Sequence, residues 1–229
     1  MPKKTYLAII IIIVLAVASV AAFYVLQTPQ ENNTEPTSTT KAGVKAGDTF
    51  TYEITGISET SSEDVTTPEN FLDVNKTDYY RIEITKVEDP IVSYNVTWQF
   101  NNGTKYSYSS QINIDTGAYT QDFWGIYTAN LTQGSLSRPG YPEGATVNAT
   151  ETRTYLDGDR QTNILRMNGE FYDSSDLTYT KSYLEYTYVY FDSQTGMLVY
   201  LKDMKIYTNP EIILTVEWKL VDSNVLQVS

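Results

Sequence analysis

A mainly β fold is what the sequence predicts: one large antiparallel sheet, a half-barrel or sandwich, held behind a single N-terminal membrane helix. Three observations predict it. From Asp48 onward, apolar residues recur at every second position, the period of a strand with one buried face. Tyrosine accounts for 20 of the 229 residues, accompanied by many Thr, Val and Ile, residue types that favour strands. Ahead of this, residues 6–26 (Tyr6 to Leu26) carry no charge and follow Lys3 and Lys4.

In order along the chain, residues 1–5 read as a short cytoplasmic tail. Residues 6–26 are long enough to cross a bilayer core of about 30 Å as a helix rising about 1.5 Å per residue. The two lysines hold the N-terminus inside, so the remainder faces outward. Cleavage-like small residues occur at Ala16-Val17-Ala18-Ser19 and Ser19-Val20-Ala21. The apolar run exceeds the usual signal core of about 7–15 residues, so a retained signal anchor is the better reading. A pilin stem fits poorly, because Lys4-Thr5-Tyr6 lacks the small residue of a pilin cleavage point and no glutamate precedes Glu31. Residues 27–46 are rich in Thr, Asn, Glu, Pro and Gln and read as a flexible polar linker. Residues 47–229 form the β-rich extracellular domain.

Within that domain Phe50-Tyr52-Ile54 and Tyr80-Ile82-Ile84 alternate with polar residues. Val92, Tyr94, Val96, Trp98 and Phe100 do so most clearly. Tyr106 and Tyr108, followed by Ile112 and Ile114, continue the pattern. A three-residue loop from Asn101 to Gly103 places Trp98 beside Tyr106 and Val96 beside Tyr108 with their apolar faces matched; a two-residue turn would mismatch them. Gly103 then takes the left-handed position. Residues 119–131 suggest a short helix or an aromatic loop. Further strands are expected over residues 146–155, 160–166 and 177–180. A second hairpin turns at Asp192-Ser193-Gln194-Thr195-Gly196, with Asp192 capping the turn and Gly196 supplying positive φ. Its flanks, residues 183–191 and 197–201, are apolar on both faces and are expected centrally, covered on both sides. Ile212, Leu214, Val216, Trp218 and Leu220 form the last strand.

Composition removes several chemistries. The chain has no cysteine and no histidine. Disulfides, a thiol nucleophile and a lipid-modified cysteine are therefore absent, as are the commonest general base and zinc ligand. The net charge is −12; two of the 16 basic residues precede the apolar run, leaving 14 against 28 acids outside it, a net −14. Such a surface repels nucleic acid. No G-x-S-x-G, G-x-x-x-x-G-K or G-x-G-x-x-G occurs, and no cofactor is implied.

Asp157-Gly158-Asp159 resembles the start of an EF-hand loop, but Thr162 and Asn168 stand where Gly and Glu are needed. A looser calcium site would draw on Asp157, Asp159, Asp173 or Asp176; a polar hairpin turn is the plainer reading. A glycoside hydrolase would need only two carboxylates at a set separation, which sequence alone does not identify. Six glycosylation sequons stand at Asn32, Asn75, Asn95, Asn102, Asn130 and Asn148, each with Thr two positions on. Trp98 and Trp218 are in phase with apolar faces and read as core. Phe123, Trp124 and Tyr127 lie in a connection, where they either contact a carbohydrate or lipid ligand or plug one end of the sheet.

The opening Gly43-Val44-Lys45-Ala46-Gly47-Asp48-Thr49-Phe50-Thr51-Tyr52, the tyrosine-rich strands and Phe191-Asp192-Ser193-Gln194-Thr195-Gly196-Met197-Leu198 together resemble uncharacterised membrane-anchored surface proteins of archaea. The Asp-x-x-Thr-Gly turn is also similar to turns of half-barrel lipoprotein carriers of the LolA/LppX type. That resemblance implies a curved sheet holding a lipid or other hydrophobic ligand. The expectation is thus a non-catalytic cell-surface protein on the bilayer, binding a hydrophobic molecule, a glycan or another envelope protein. An anchored glycan-processing enzyme is the alternative.

Overall fold

The structure, a computed structural model, describes residues 40–226 apart from residues 62, 70, 122, 156–157, 173–181 and 209. The expected tail, membrane helix, sequon Asn32, strand 177–180, and Asp157, Asp173 and Asp176 lie outside the described residues. Among the described residues no helix is long and apolar enough to cross a membrane.

The domain is mainly β. Among the described residues, nine antiparallel strands form one open sheet: β1 (Thr49–Thr60), β2 (Thr77–Glu88), β3 (Ile91–Phe100), β4 (Lys105–Asn113), β5 (Ala149–Tyr155), β6 (Gly158–Tyr172), β7 (Ser182–Asp192), β8 (Leu198–Thr208) and β9 (Glu211–Ser223). A 3₁₀ turn, Phe71–Lys76, precedes β2. The spatial order is β4-β3-β2-β1-β9-β8-β7-β6-β5. Two meanders therefore meet where β1 pairs with β9, and β4 and β5 become the two edges.

That order has a steric consequence. β4 and β5 are consecutive in sequence yet eight strand spacings apart, about 38 Å at about 4.8 Å each. The connection, residues 114–148, must run from one edge to the other, and it does so across one face. Over residues 119–131, read from sequence as a short helix or an aromatic loop, the described residues form the loop. Phe123, Ile126, Tyr127 and Leu131 from this connection are buried with the inward residues of the strands.

The first hairpin has the expected register: Trp98 pairs with Tyr106 and Val96 with Tyr108. Phe100 N–H donates to Thr104 O at 2.9 Å, and Gly103 sits at φ 81°. The second hairpin also forms as expected. The Thr195 N–H and hydroxyl each donate to Asp192 Oδ1 at 2.8 Å, and Gly196 sits at φ 73°.

β7 and β8 depart from expectation. They lie on one side of the central β9, and only one of their faces is buried. Tyr183, Thr187, Val189 and Phe191 point inward; Tyr186, Tyr188 and Tyr190 point outward and stay half-exposed. Tyrosine is the cause. Its ring counts as apolar in a pattern, but its hydroxyl favours a surface where one end stays wet.

Residues 40–46, expected as the end of the linker, pack on the domain. Thr40 Oγ1 donates to Asp115 Oδ1 at 2.5 Å, Ala42 N–H to Asp89 Oδ1 at 2.8 Å, and Ala129 N–H to Lys41 O at 2.9 Å. Gly43 passes so close to the second hairpin that a Cβ there would lie 1.8 Å from Gln194 O. The opening segment and the Asp-x-x-Thr-Gly turn are thus docked on each other.

Candidate functional site

The inward face divides into two halves. Over β1–β3 and β9, Phe123 enters an aromatic cluster. Its ring centroid lies 5.6 Å from that of Tyr52, 6.0 Å from Tyr94, and 6.3 Å from both Tyr80 and Trp218. Each buried hydroxyl finds an acceptor or a partner: Tyr52 OH donates to Leu198 O at 2.9 Å, Tyr94 OH to Phe123 O at 2.5 Å, and Tyr80 OH meets Tyr108 OH at 3.2 Å. Burial pushes the Tyr52 phenol well above its ordinary range. Tyr127 stacks on Phe191 with centroids 4.3 Å apart, and Trp124 meets Tyr127 edge-on. Of the three aromatics singled out from sequence, Phe123 and Tyr127 are buried and Trp124 is half-buried. They fill the sheet's interior.

Arg138 fastens this connection. Its guanidinium lies 4.2 Å from the centroid of Tyr127 and donates to three main-chain carbonyls: Ile126 O, Ile114 O at 3.3 Å and Trp124 O at 2.7 Å. A planar fork with five N–H donors suits an irregular segment whose carbonyls converge. Nearby, Asp192 is fully buried and takes both arms of Arg160, at 2.8 and 3.0 Å, while capping its own turn.

The other half holds an acid pair. Glu185 lies opposite Lys205, and Thr187 opposite Asp203, across β7 and β8. Glu185 and Asp203 are thus diagonal neighbours on the inward face, 3% and 6% exposed. Thr187 Oγ1 donates to Asp203 Oδ1 at 3.0 Å. Lys205 Nζ lies 4.0 Å from Glu185 Oε1 and 5.2 Å from the Tyr183 ring centroid. Both carboxylate oxygens of Glu185 are buried without a hydrogen-bond partner.

Two carboxylates cannot donate to each other, and one ammonium does not balance both. One proton on the pair supplies the missing donor and removes the surplus charge. Desolvation, then the charge of Asp203, pushes Glu185 up to about 8, with Lys205 opposing. Desolvation also raises Asp203, against Lys205 and Thr187. The pair therefore carries a shared proton near neutral pH.

The described sequons all stand on exposed residues. Asn95 Oδ1 accepts from Ser109 Oγ at 2.7 Å, Asn102 Oδ1 from Thr104 N–H at 2.9 Å, and Asn148 Oδ1 from Arg166 N–H at 2.6 Å. Asn130 sits at φ 60°. Asn75 is used structurally: its amide accepts from Gly56 N–H at 2.6 Å and donates to Gly56 O at 2.9 Å. Asp159 lies in the β5–β6 hairpin, where Thr154 Oγ1 donates to its Oδ1 at 2.7 Å. Among the described residues no group of three or more metal-ligating side chains comes together.

The outward face carries what pattern reading missed. Tyr190 pairs with Tyr200 across β7 and β8, their centroids 5.6 Å apart, and Arg153 lies 4.2 Å over the Tyr190 ring. Tyr188 faces Lys202 and Tyr186 faces Met204. Burial, then Glu217, pushes the Tyr200 phenol up to about 12. The signal was present in the Tyr-x-Tyr-x-Tyr alternation of residues 186–190.

No protein-family model matches the chain, and no curated protein matches it.

Proposed function

We propose that the chain is a non-catalytic, membrane-anchored cell-surface protein that presents its β domain outward as a binding module. The observation that carries this reading is the asymmetry of the sheet. One face is filled by the chain's own edge-to-edge connection, while the other leaves a row of tyrosine rings half-exposed. Large, rigid, amphipathic rings are the side chains that binding surfaces favour.

The anchoring half of the proposal rests on the charge-free residues 6–26 behind Lys3 and Lys4. Outward topology would also make Asn95, Asn102, Asn130 and Asn148 available to a glycan transferase. A hydrophobic-ligand carrier of the half-barrel kind is less well supported, because Phe123 and its neighbours already occupy the inward face over β1–β3.

The test is membrane retention. Full-length protein is expected in the membrane pellet after alkaline carbonate washing, and deletion of residues 6–26 is expected to release it. Extraction of the intact chain by carbonate alone would refute the anchor.

A further inference from the structure

Lys205 stands beside the acid pair on the inward face, and the three side chains form a set that the binding reading does not use. Glu185 and Lys205 are direct cross-strand partners on β7 and β8. Such partners hold their Cβ atoms about 4.5–5.5 Å apart, a gap that these two long side chains span with slack. Lys205 Nζ lies 4.0 Å from Glu185 Oε1, with the two side chains 13% and 3% exposed. Thr187 orients Asp203 from 3.0 Å.

The surroundings exclude water. Gly169 faces Glu185 from β6, and the Phe171 ring takes the space that a side chain there would fill, 2.9 Å from where its Cβ would lie. Phe171 stacks on Tyr183, and Tyr183 meets Tyr207 across β7 and β8. On β9, Leu214 and Val216 face Lys205 and Asp203. Desolvation keeps a proton on the acid pair. An amine does not condense with a carboxylate, but it does with a protonated carboxyl when a neighbouring base takes the ammonium's proton. One acid of this pair supplies the carboxyl and the other the base.

We propose that Lys205 and Glu185 condense to a side-chain amide that staples β7 to β8, with Asp203 carrying the proton. The Lys205 ammonium passes a proton to the Asp203 carboxylate. The neutral amine then forms an N–C bond to Cδ of the protonated Glu185 carboxyl. The Glu185 C–O bond breaks, and the hydroxyl departs as water with a proton that Asp203 relays from the nitrogen. The products are one amide, one water and a protonated Asp203, so no oxidant or co-reactant is needed and two buried charges disappear. Holding the reacting groups together makes the step intramolecular. It is slow and follows folding, because the triad assembles only when β7 pairs with β8. The freshly folded chain still carries the shared proton, and Glu185 ceases to titrate once the bond forms. In a chain without cysteine, the amide closes the β7–β8 hairpin as a disulfide would, restricting the unfolded state.

The test is intact mass, and it does not depend on where the domain stands. Freshly folded full-length chain in detergent is expected at its full mass. Held folded at pH 7 for several days, it should become lighter by one water. Trypsin should then yield a branched peptide joining residues 182–202 to residues 203–219, uncut at Lys205. Chain held in urea, Lys205→Met and Glu185→Ala should form no such peptide. Asp203→Asn should form it at least tenfold more slowly. Circular dichroism of each variant controls for folding. A folded native chain that keeps its full mass overturns the inference. Water loss confined to Asp157-Gly158, the mark of a succinimide, overturns it too, as does loss at the same rate in urea or in Lys205→Met. An Asp203→Asn chain that condenses as fast as the native one overturns the proton relay.

Discussion

Glu185→Gln is expected to remove a pH dependence of stability that the native chain carries. In the unfolded chain, Glu185 and Asp203 lose their protons near pH 4 to 5. In the folded protein desolvation and mutual repulsion hold one proton on the pair until about pH 8, the value for Glu185. Between those limits the folded state binds more protons than the unfolded one, so stability falls as pH rises. The stabilising effect is fully present below pH 4 to 5 and is lost as the pH passes 8. Its size across the window is on the order of a few kcal/mol. A Gln amide donates to Asp203 at every pH, leaving Lys205 to balance the single remaining charge. The variant should therefore gain on the native chain between pH 5.5 and 8.5, as read from urea unfolding at both values. A difference between the two proteins that does not change with pH would show that the pair shares no proton.

Arg138→Met carries the second large expected effect. Methionine fills similar volume but leaves the carbonyls of Ile114, Trp124 and Ile126 without this donor. Trp124 O keeps the Ile126 N–H at 2.9 Å and Ile114 O keeps the Thr128 hydroxyl at 3.4 Å, so among the described residues Ile126 O is the acceptor left without a donor. An unpaired buried acceptor costs about 1–3 kcal/mol, and the lost charge-assisted bonds add to it, for an expected loss of about 2–4 kcal/mol. Arg138→Lys should recover little of it, because one ammonium cannot reproduce a planar fork. The signature beyond stability is local. The main chain from Trp124 to Tyr127 should exchange its amide hydrogens faster than β1 and β9, because beside this clamp it is held by two main-chain bonds, Tyr127 N–H to Gly196 O and Leu198 N–H to Gly125 O, rather than by a full strand ladder. A cost below about 1 kcal/mol would mean that the aromatic packing holds the connection by itself.

The strands were legible because the side-chain period of two is strong wherever one face is buried. Val92 to Phe100 alternates without a break, and matching its apolar face to Tyr106 and Tyr108 was sufficient to choose the loop length. The Asp192 turn was legible because its capping chemistry is local. The strand order was not. Nothing within a strand says that β1 meets β9, and without that pairing the crossing of residues 114–148 from edge to edge has no cause to appear. Counting tyrosines as apolar misjudged β7 and β8, since Tyr186, Tyr188 and Tyr190 leave their faces half in water.

The acid pair left a partial trace. Glu185 is in phase with Tyr183, Val189 and Phe191, and Asp203 with Val199 and Leu201, so each is a charged residue on a buried face. Only the register of β7 on β8 brings the two together. Arg138 left none, since it lies in an aperiodic stretch whose carbonyls converge only in three dimensions.

Sidedness is the most direct test of the proposal that this domain stands outside the membrane. The chain contains no cysteine, so Gln133→Cys, on an exposed turn, introduces a single thiol. A membrane-impermeant maleimide should label that thiol on intact cells, and lysis should add little. Labelling that appears only after lysis would place the domain inside and contradict the account.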